Sequence, residues 1–298
     1  MADTTHVGII GLGKMGGNMR ERMRAQGLTV TGYDPNPAVS DVAKLSDLVD
    51  ALPTPRVIWV MVPSGAITDS VITDVEALLD AGDLVIDGGN TRFTDDEIHR
   101  NLLAVREIGF VDVGVSGGIW GLENGYGLMA GGAVSDIERA MPIFDALRPE
   151  GPRDEGFVHA GPVGAGHYVK MVHNGIEYAL MQAWAEGFEL LDSRKDLVKN
   201  VPGSFKAWQR GTVVRSWLLE LLVKALEEDP NFADIAGYVE DSGEGRWTVH
   251  EALNQAVAVP TISAAIFARF VSRQEDSPSM KAVAALRNQF GGHSVRKR

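Results

Sequence analysis

Residues 7–16, Val7-Gly8-Ile9-Ile10-Gly11-Leu12-Gly13-Lys14-Met15-Gly16, constrain the fold more than any other stretch of the chain. A short apolar run passes directly into a G-x-G-x-x-G loop, and the loop opens a helical stretch that runs to about Gln26 and stops at Gly27. Each glycine answers a separate steric need. Gly11 permits a tight turn, Gly13 lets the backbone approach a pyrophosphate, and Gly16 lets the helix lie close to its sheet with its N-terminus toward the phosphates. Strand, loop and helix occur in the required order, so the motif reads as the opening of a dinucleotide-binding domain rather than as an isolated turn.

Short runs rich in β-branched residues then alternate with helical stretches, the pattern of a parallel sheet with crossover helices. The expected strands are Val7–Ile10, Thr29–Tyr33, Val57–Met61, Leu84–Ile86, Phe110–Val113, Leu128–Ala130 and Phe157–His159. Gly161-Pro162-Val163-Gly164-Ala165-Gly166 interrupts this texture, and from about His167 the apolar residues recur at helical spacing. The expected architecture is an α/β Rossmann-type domain over 1–160, an all-α domain over 161–276 and a C-terminal tail over 277–298. At the end of the second strand Asp34 stands eighteen residues after Gly16, where a carboxylate accepts hydrogen bonds from an adenosine ribose and repels a 2′-phosphate. Asp34 also precedes Pro35, where an aspartate readily starts a turn, and the two roles are compatible. No arginine follows it directly, so the expected cofactor is NAD rather than NADP.

Composition bounds the remaining partners. Twenty-eight basic against forty acidic residues leave a net charge of −12, which disfavours sequence-independent binding to nucleic acid or to an anionic membrane surface. The longest apolar run, Val57 to Val62, is too short to span a bilayer, and the N-terminal residues lack the basic flank and apolar stretch of a signal peptide. A cytoplasmic protein is expected. Zero cysteines remove disulfides, thiolate metal sites and a Cys nucleophile, and the seven histidines form no His-Glu-x-x-His pair, so no metal is expected.

Chemistry concentrates after residue 165. Lys170, His173, Asn174, Glu177 and Tyr178 fall at i, i+3, i+4, i+7 and i+8, which places them on one polar stripe of a helix. Met171, Val172, Ile176, Ala179 and Leu180 supply its apolar remainder. Lys170 and Glu177 stand about 10.5 Å apart along the axis at about 1.5 Å per residue, a span that suits a sugar acid lying along the helix. A desolvated lysine there is a candidate general base.

The stripe occurs together with Val62-Pro63-Ser64-Gly65, Asp87-Gly88-Gly89-Asn90-Thr91 and Val115-Ser116-Gly117-Gly118. With His167-Tyr168-Val169-Lys170-Met171-Val172-His173-Asn174-Gly175-Ile176-Glu177-Tyr178, these segments resemble the decarboxylating 6-phosphogluconate dehydrogenases, in the short, NAD-preferring branch of the β-hydroxyacid dehydrogenase group. The resemblance runs from the glycine loop to Phe290-Gly291-Gly292-His293. It implies oxidation of 6-phosphogluconate by NAD, loss of CO2 and release of ribulose 5-phosphate. By the same resemblance Lys170 is the base at the C3 hydroxyl, Glu177 protonates C1 after decarboxylation, and Asn174 orients the hydroxyl beside His173. Ser116, Gly117 and Gly118 are implied as the carboxylate cradle, and Asn90 lies at the seam of nicotinamide and sugar. The cofactor set is Gly11, Leu12, Gly13, Lys14, Met15, Gly16, Asp34, Val62, Pro63 and Asn90. Tyr178 is implied among the substrate-binding residues and Arg269 at the phosphate end, where Ser242 stands in place of the lysine of longer members. Ile119-Trp120 likewise replaces an acidic pair. The resemblance further implies a homodimer or homotetramer in which the tail crosses to a neighbouring subunit and supplies Arg287 and His293, with Phe290 as anchor and Gly291-Gly292 as the bend.

Other readings compete. A β-hydroxyacid dehydrogenase acting on a small unphosphorylated 3-hydroxy acid shares the glycine loop and Lys170 but needs no arginine-rich end. Gly114-Val115-Ser116-Gly117-Gly118 matches the G-x-S-x-G spacing of a hydrolase elbow, but Gly117-Gly118-Ile119-Trp120-Gly121 is a poor helix start and the loop at Gly11 goes unexplained. A non-catalytic NAD sensor leaves Lys170 and Glu177 without a task.

Overall fold

The computed structural model describes residues 5–291 and 293–296. The chain divides into two compact units, Met1–Asn174 and Gly175–Arg298. In the first, strands and helices alternate: β1 (His6–Ile10), α1 (Lys14–Ala25), β2 (Thr29–Tyr33), α2 (Leu45–Asp50), β3 (Val57–Val60), α3 (Ala66–Leu78), β4 (Leu84–Asp87), α4 (Phe93–Ala104), β5 (Gly109–Ser116), α5 (Gly121–Asn124), β6 (Gly127–Gly132), α6 (Val134–Leu147) and β7 (Phe157–Gly161). The strands form one sheet in the order β2-β1-β3-β4-β5-β6-β7. Chain order reverses between β1 and β3, the point at which such sheets open a crevice at the carboxyl ends of their strands.

The strands read as continuous apolar runs because both faces of the sheet are covered. Successive residues of β3 alternate between two cores: Val57 and Trp59 pack with α1 and α6, and Ile58 and Val60 with α2, α3 and α4. Val7 and Ile9 against Ile10 in β1, and Leu84 and Ile86 against Val85 in β4, repeat the pattern. Each fully buried aliphatic side chain contributes about 1.5–3 kcal/mol, so interleaving on both faces dominates the unit's stability.

One expectation needs correction: the sheet is mixed. The pairs β1·β2, β1·β3, β3·β4, β4·β5 and β6·β7 are parallel, but β6 runs antiparallel to β5. The connection 117–126 is too short for a parallel crossover, which needs roughly a dozen residues or more. It holds a 3-10 turn (Gly118–Trp120) and the four-residue α5, not the long helix of a hydrolase elbow. Strand β5 also extends beyond its expected end, to Ser116.

Helix α7 (Ala165–Asp192) begins in the first unit and continues through the second, where it is joined by α8 (Val201–Trp208), α9 (Trp217–Glu228), α10 (Glu244–Asn254), α11 (Pro260–Ser272) and α12 (Pro278–Gly291). The division of compactness therefore falls inside α7, later than the glycine-rich interruption near residue 161, because the first turns of α7 pack on the sheet. Within the second unit Trp184, Phe188 and Leu191 of α7 meet Phe205, Leu219, Val223 and Leu226, while Tyr178 and Met181 meet Ala265 and Ile266. Asn200 and Ser216 cap α8 and α9, accepting from the Gly203 and Leu219 amides. No described helix is long and apolar enough to cross a membrane.

Candidate active site

The glycine loop leaves β1 at the switch point, and its geometry follows from three missing side chains. Gly11 has φ +90°, and a Cβ there would lie 2.3 Å from the Met61 carbonyl oxygen; a Cβ on Gly16 would lie 1.9 Å from the Gly11 oxygen. Gly13 differs, because a Cβ there would meet nothing within 4 Å, so the loop is open on that side. Gly13 is also the N-cap of α1 and offers no side-chain acceptor to the first-turn amides. Open space in front of uncapped amide donors suits a pyrophosphate. Lys14 is exposed, Met15 half-buried and Leu12 buried in the sheet core.

Asp34, just past β2, closes the loop from behind. Its carboxylate accepts from the Leu12 amide (2.8 Å) and from the Asn36 amide (2.8 Å), while its own amide donates to Ser40 Oγ (3.0 Å). The turn role and the loop-facing role thus coexist, and each carboxylate oxygen retains a further lone pair. Val62 and Pro63 follow β3 on the same sheet edge, with the Pro63 carbonyl accepting from Thr68 Oγ1 at 3.0 Å.

Asn90 follows β4. The buried Asp87 shapes its loop, accepting from the Gly89 amide (2.9 Å) and Thr91 Oγ1 (2.6 Å). Gly88 carries no side chain because the Trp59 indole fills the space, 2.4 Å from where its Cβ would be. Lys170, only 4% exposed, donates from Nζ to Asn90 Oδ1 in a short hydrogen bond. Ser116 ends β5 on the same edge as the ends of β1, β3 and β4, followed by Gly117 (φ +132°) and Gly118 (φ +53°).

The placement of Lys170 depends on β5. A Cβ on Gly114 would lie 2.2 Å from the Lys170 Cβ, and one on Gly166 would lie 2.3 Å from the Met129 oxygen, so helix and strand approach at backbone contact. Asp112, fully buried, accepts from the Gly164 amide (2.7 Å) and the His167 amide (2.8 Å) and so caps the start of α7. His167 Nδ1 lies 2.9 Å from both carboxylate oxygens of Asp96 on α4. Complete burial opposes charge on His167, yet the Asp96 carboxylate, with Asp87 and Asp112 behind it, prevails and pushes it up to about 10. Burial raises Asp96 to about 7 against the pull of His167. Asp87, Asp96 and His99, and likewise Asp96, Asp112 and His167, each offer ligand atoms within 4.8 Å of one another. Hydrogen-bond donors already engage the carboxylates of both groups, a protein-only way to settle buried charge. Nothing in the local sequence marks Asp96, Asp112 and His167 as a cluster. The available signal was an acid inside an apolar strand, as in Phe110-Val111-Asp112-Val113.

Further along α7, His173 Nδ1 donates to Asn174 Oδ1 (3.1 Å) and Glu177 is half-buried. In the second unit the buried Tyr178 hydroxyl accepts from the Ser242 amide and lies 3.2 Å from Ser242 Oγ. The Arg269 guanidinium stacks 3.5 Å from the centre of the Tyr178 ring and donates to the Glu240 carbonyl at 2.9 Å. Next to them Asp241 pairs with Arg246 (2.8 Å) and Arg273 (2.5 Å). Burial works to raise Asp241, but Arg273, the Gly243 amide and Arg246 hold it below the usual carboxylate range. Arg287 is exposed on α12, and the His293 carbonyl accepts from Asn288 at 2.9 Å. Gly292, half of the expected bend, lies outside the described residues.

Comparison with known proteins agrees with this arrangement. Residues 6–149 match the NAD-binding domain of 6-phosphogluconate dehydrogenase, and residues 166–297 match its C-terminal domain. A NAD(+)-dependent, decarboxylating 6-phosphogluconate dehydrogenase of Haloferax volcanii is 41% identical over 98% of this chain and 99% of its own. The YqeC protein of Bacillus subtilis (strain 168) is 38% identical over the same shares. Plasmodium falciparum 6-phosphogluconate dehydrogenase, solved as apoenzyme and with NADP+ or 6-phosphogluconate, superposes with a TM-score of 0.80 at 25% identity, over 98% of this chain and 66% of that one. With the glycine loop, Asn90 and Lys170 in one compact unit and both family domains matched in order, this chain belongs to the 6-phosphogluconate dehydrogenase family.

Proposed function

We propose that the protein oxidises and decarboxylates 6-phosphogluconate to ribulose 5-phosphate and CO2, with NAD as the oxidant. The observation that carries this reading is Lys170: a buried amine on the sheet, bonded to Asn90, at the head of a helical stripe that continues through His173, Asn174 and Glu177. We assign the cofactor to Gly11, Leu12, Gly13, Lys14, Met15, Gly16, Asp34, Val62, Pro63 and Asn90; the open side of Gly13 and the uncapped start of α1 fit its pyrophosphate. When bound, the nicotinamide supplies the hydride acceptor for C3.

The chain's own residues then divide the proton work. Lys170 takes the proton of the C3 hydroxyl, which Asn174 orients with His173 beside it. The 3-keto acid loses CO2, and Glu177, about 10.5 Å further along α7, protonates C1 of the resulting enediol. Ser116 and the Gly117-Gly118 backbone hold the carboxylate before it leaves. Arg269 takes the phosphate, held by stacking on the Tyr178 ring and by Glu240, and Tyr178 lines the substrate beside it. Ser242 gives the same region a hydroxyl in place of a cation.

The domain scheme of 1–160, 161–276 and 277–298, the homodimer or homotetramer, and donation of Arg287 and His293 by a neighbouring subunit belong to the same reading. Exposed Ile176 and Leu180 on α7, and Met280, Val283 and Leu286 on α12, support an oligomer because apolar faces of this kind favour burial. A cytoplasmic setting suits a chain without cysteines. The test is NADH formation with 6-phosphogluconate and with 3-hydroxyisobutyrate, and NADPH formation with NADP. Turnover of 6-phosphogluconate with NAD, accompanied by stoichiometric CO2, is expected; oxidation of 3-hydroxyisobutyrate alone would overturn the proposal.

A further inference from the structure

The buried cluster beneath Lys170 has no part in the chemistry assigned above, although the fold bears a cost to keep it. Asp87, Asp96 and Asp112 are fully buried, and His99 and His167 are 4% and 2% exposed. His99 Nε2 donates to Asp69 on α3 at 2.8 Å. His167 Nδ1 serves Asp96, yet its Nε2 is buried without a hydrogen-bond partner, an arrangement that opposes folding. Replacing a buried ion pair with well-packed apolar residues is often neutral or stabilising, so stability alone is a weak reason for this pair.

Geometry supplies a stronger one. Asp96 lies in the first turn of α4, whose N-cap Arg92 follows Asn90 by two residues, and Thr91 and Gly89 are both bound to Asp87. Asn90 is thus held from both sides on Asp87 at the end of β4, in the loop that leads directly into α4. His167 lies one turn before Lys170 on α7. The 2.9 Å link between Asp96 and His167 therefore joins α4, the helix that follows the Asn90 loop, to α7, the helix that carries Lys170. Asp112 holds the same turn of α7 on β5 through the Gly164 and His167 amides, and Gly114 leaves the Lys170 Cβ no lateral room. The turn of α7 before Lys170 is thus held by two elements, α4 and β5, and of these α4 is the one whose start adjoins the Asn90 loop.

We infer that the Asp96–His167 pair, braced by Asp112, is a positioning device that sets the Lys170 amine against Asn90. Neither residue touches the reacting atoms; both act through Lys170. The inference rests on Lys170 being the base of the proposed function, but it can be tested without substrate.

Two readouts are needed. In steady-state kinetics Asp96→Ala and His167→Ala each lower kcat about 100-fold, the size expected when a reacting group moves by about 1 Å, while the Kd for NAD stays within about twofold. His167→Asn, whose amide can reach the Nδ1 position, recovers most of the loss. In an Asn90→Ala background His167→Ala costs almost nothing further, because the contact it sets is already gone; a general loss of packing would add in full. In the side-chain 1H–15N spectrum of 15N-lysine-labelled protein, the Lys170 signal is identified by its absence in Lys170→Arg. It shifts or broadens in Asp96→Ala and His167→Ala, and stays near the parent position in His167→Asn. Asp96→Asn, nearly isosteric, replaces Asp96→Ala where the latter fails to fold. An unmoved Lys170 signal in folded Asp96 and His167 variants overturns the inference. Should the parent fail to turn over 6-phosphogluconate, the proposed function falls, and the Lys170 signal still decides this point.

Discussion

Asp34 shows how one side chain meets two demands. Its carboxylate accepts from Leu12 and Asn36, which shapes the loop and the turn, and in the proposed function its negative charge meets the 2′ position of the ribose. Asp34→Ala is expected to narrow the ratio of kcat/KM for NAD over NADP at least tenfold, a change of about 1.4 kcal/mol, and to raise KM for NAD as the loop loosens. Kinetics with both nucleotides measure it, and an unchanged ratio would remove Asp34 from cofactor choice. In the proposed function Lys170 and Glu177 handle different protons. Lys170→Met is expected to lower kcat by about 100-fold to 10,000-fold with NAD binding intact, whereas Glu177→Gln slows ribulose 5-phosphate release while the first turnover of NADH persists. Rapid mixing that follows NADH and product separately distinguishes the two. A Lys170→Met enzyme within tenfold of the parent would place the base elsewhere.

The start of α7 is the element on which the site depends. Gly114→Ala would drive a Cβ against Lys170 at 2.2 Å, so strand and helix must part. Overpacking of this kind costs about 1–3 kcal/mol, and the loss of kcat should exceed what the loss of folded protein explains. Urea denaturation monitored beside activity checks both. The same element makes stability depend on pH. His167 is raised in the fold to about 10 from an ordinary 6.5, so the folded chain keeps a proton that the unfolded chain releases above its ordinary value. That stabilisation is complete below pH ~6.5 and fades as pH rises through the folded value. Between pH 7 and about 10 the parent is therefore expected to lose more stability than His167→Asn, and equal slopes of unfolding free energy against pH would contradict a charged His167.

For the whole molecule the tail is the sharpest question. If Arg287 and His293 serve the phosphate end, as proposed, deletion of residues 286–298 raises KM for 6-phosphogluconate at least tenfold and leaves KM for NAD within about twofold. Mixing tail-deleted subunits with Lys170→Met subunits creates hybrid sites with an intact Lys170 and a borrowed tail. Activity regained on mixing supports donation between subunits. Verified hybrids that stay inactive would show that each chain uses its own tail or none.

Local sequence determined the glycine loop, the strands on either side of the switch point and the stripe on α7, because spacing along one strand or helix sets which side chains share a face. Asp34 was legible for the same reason: its distance from Gly16 is measured within one βαβ unit. The direction of β6 depended on a connection length whose meaning appears only once the strands are paired. Asp96 and His167, separated by 71 residues, became partners only through packing. A histidine in a helix and an aspartate in another carry no mark of each other in sequence. Burial removes the water that would solvate them, and each then requires a charged partner that the tertiary fold brings within reach.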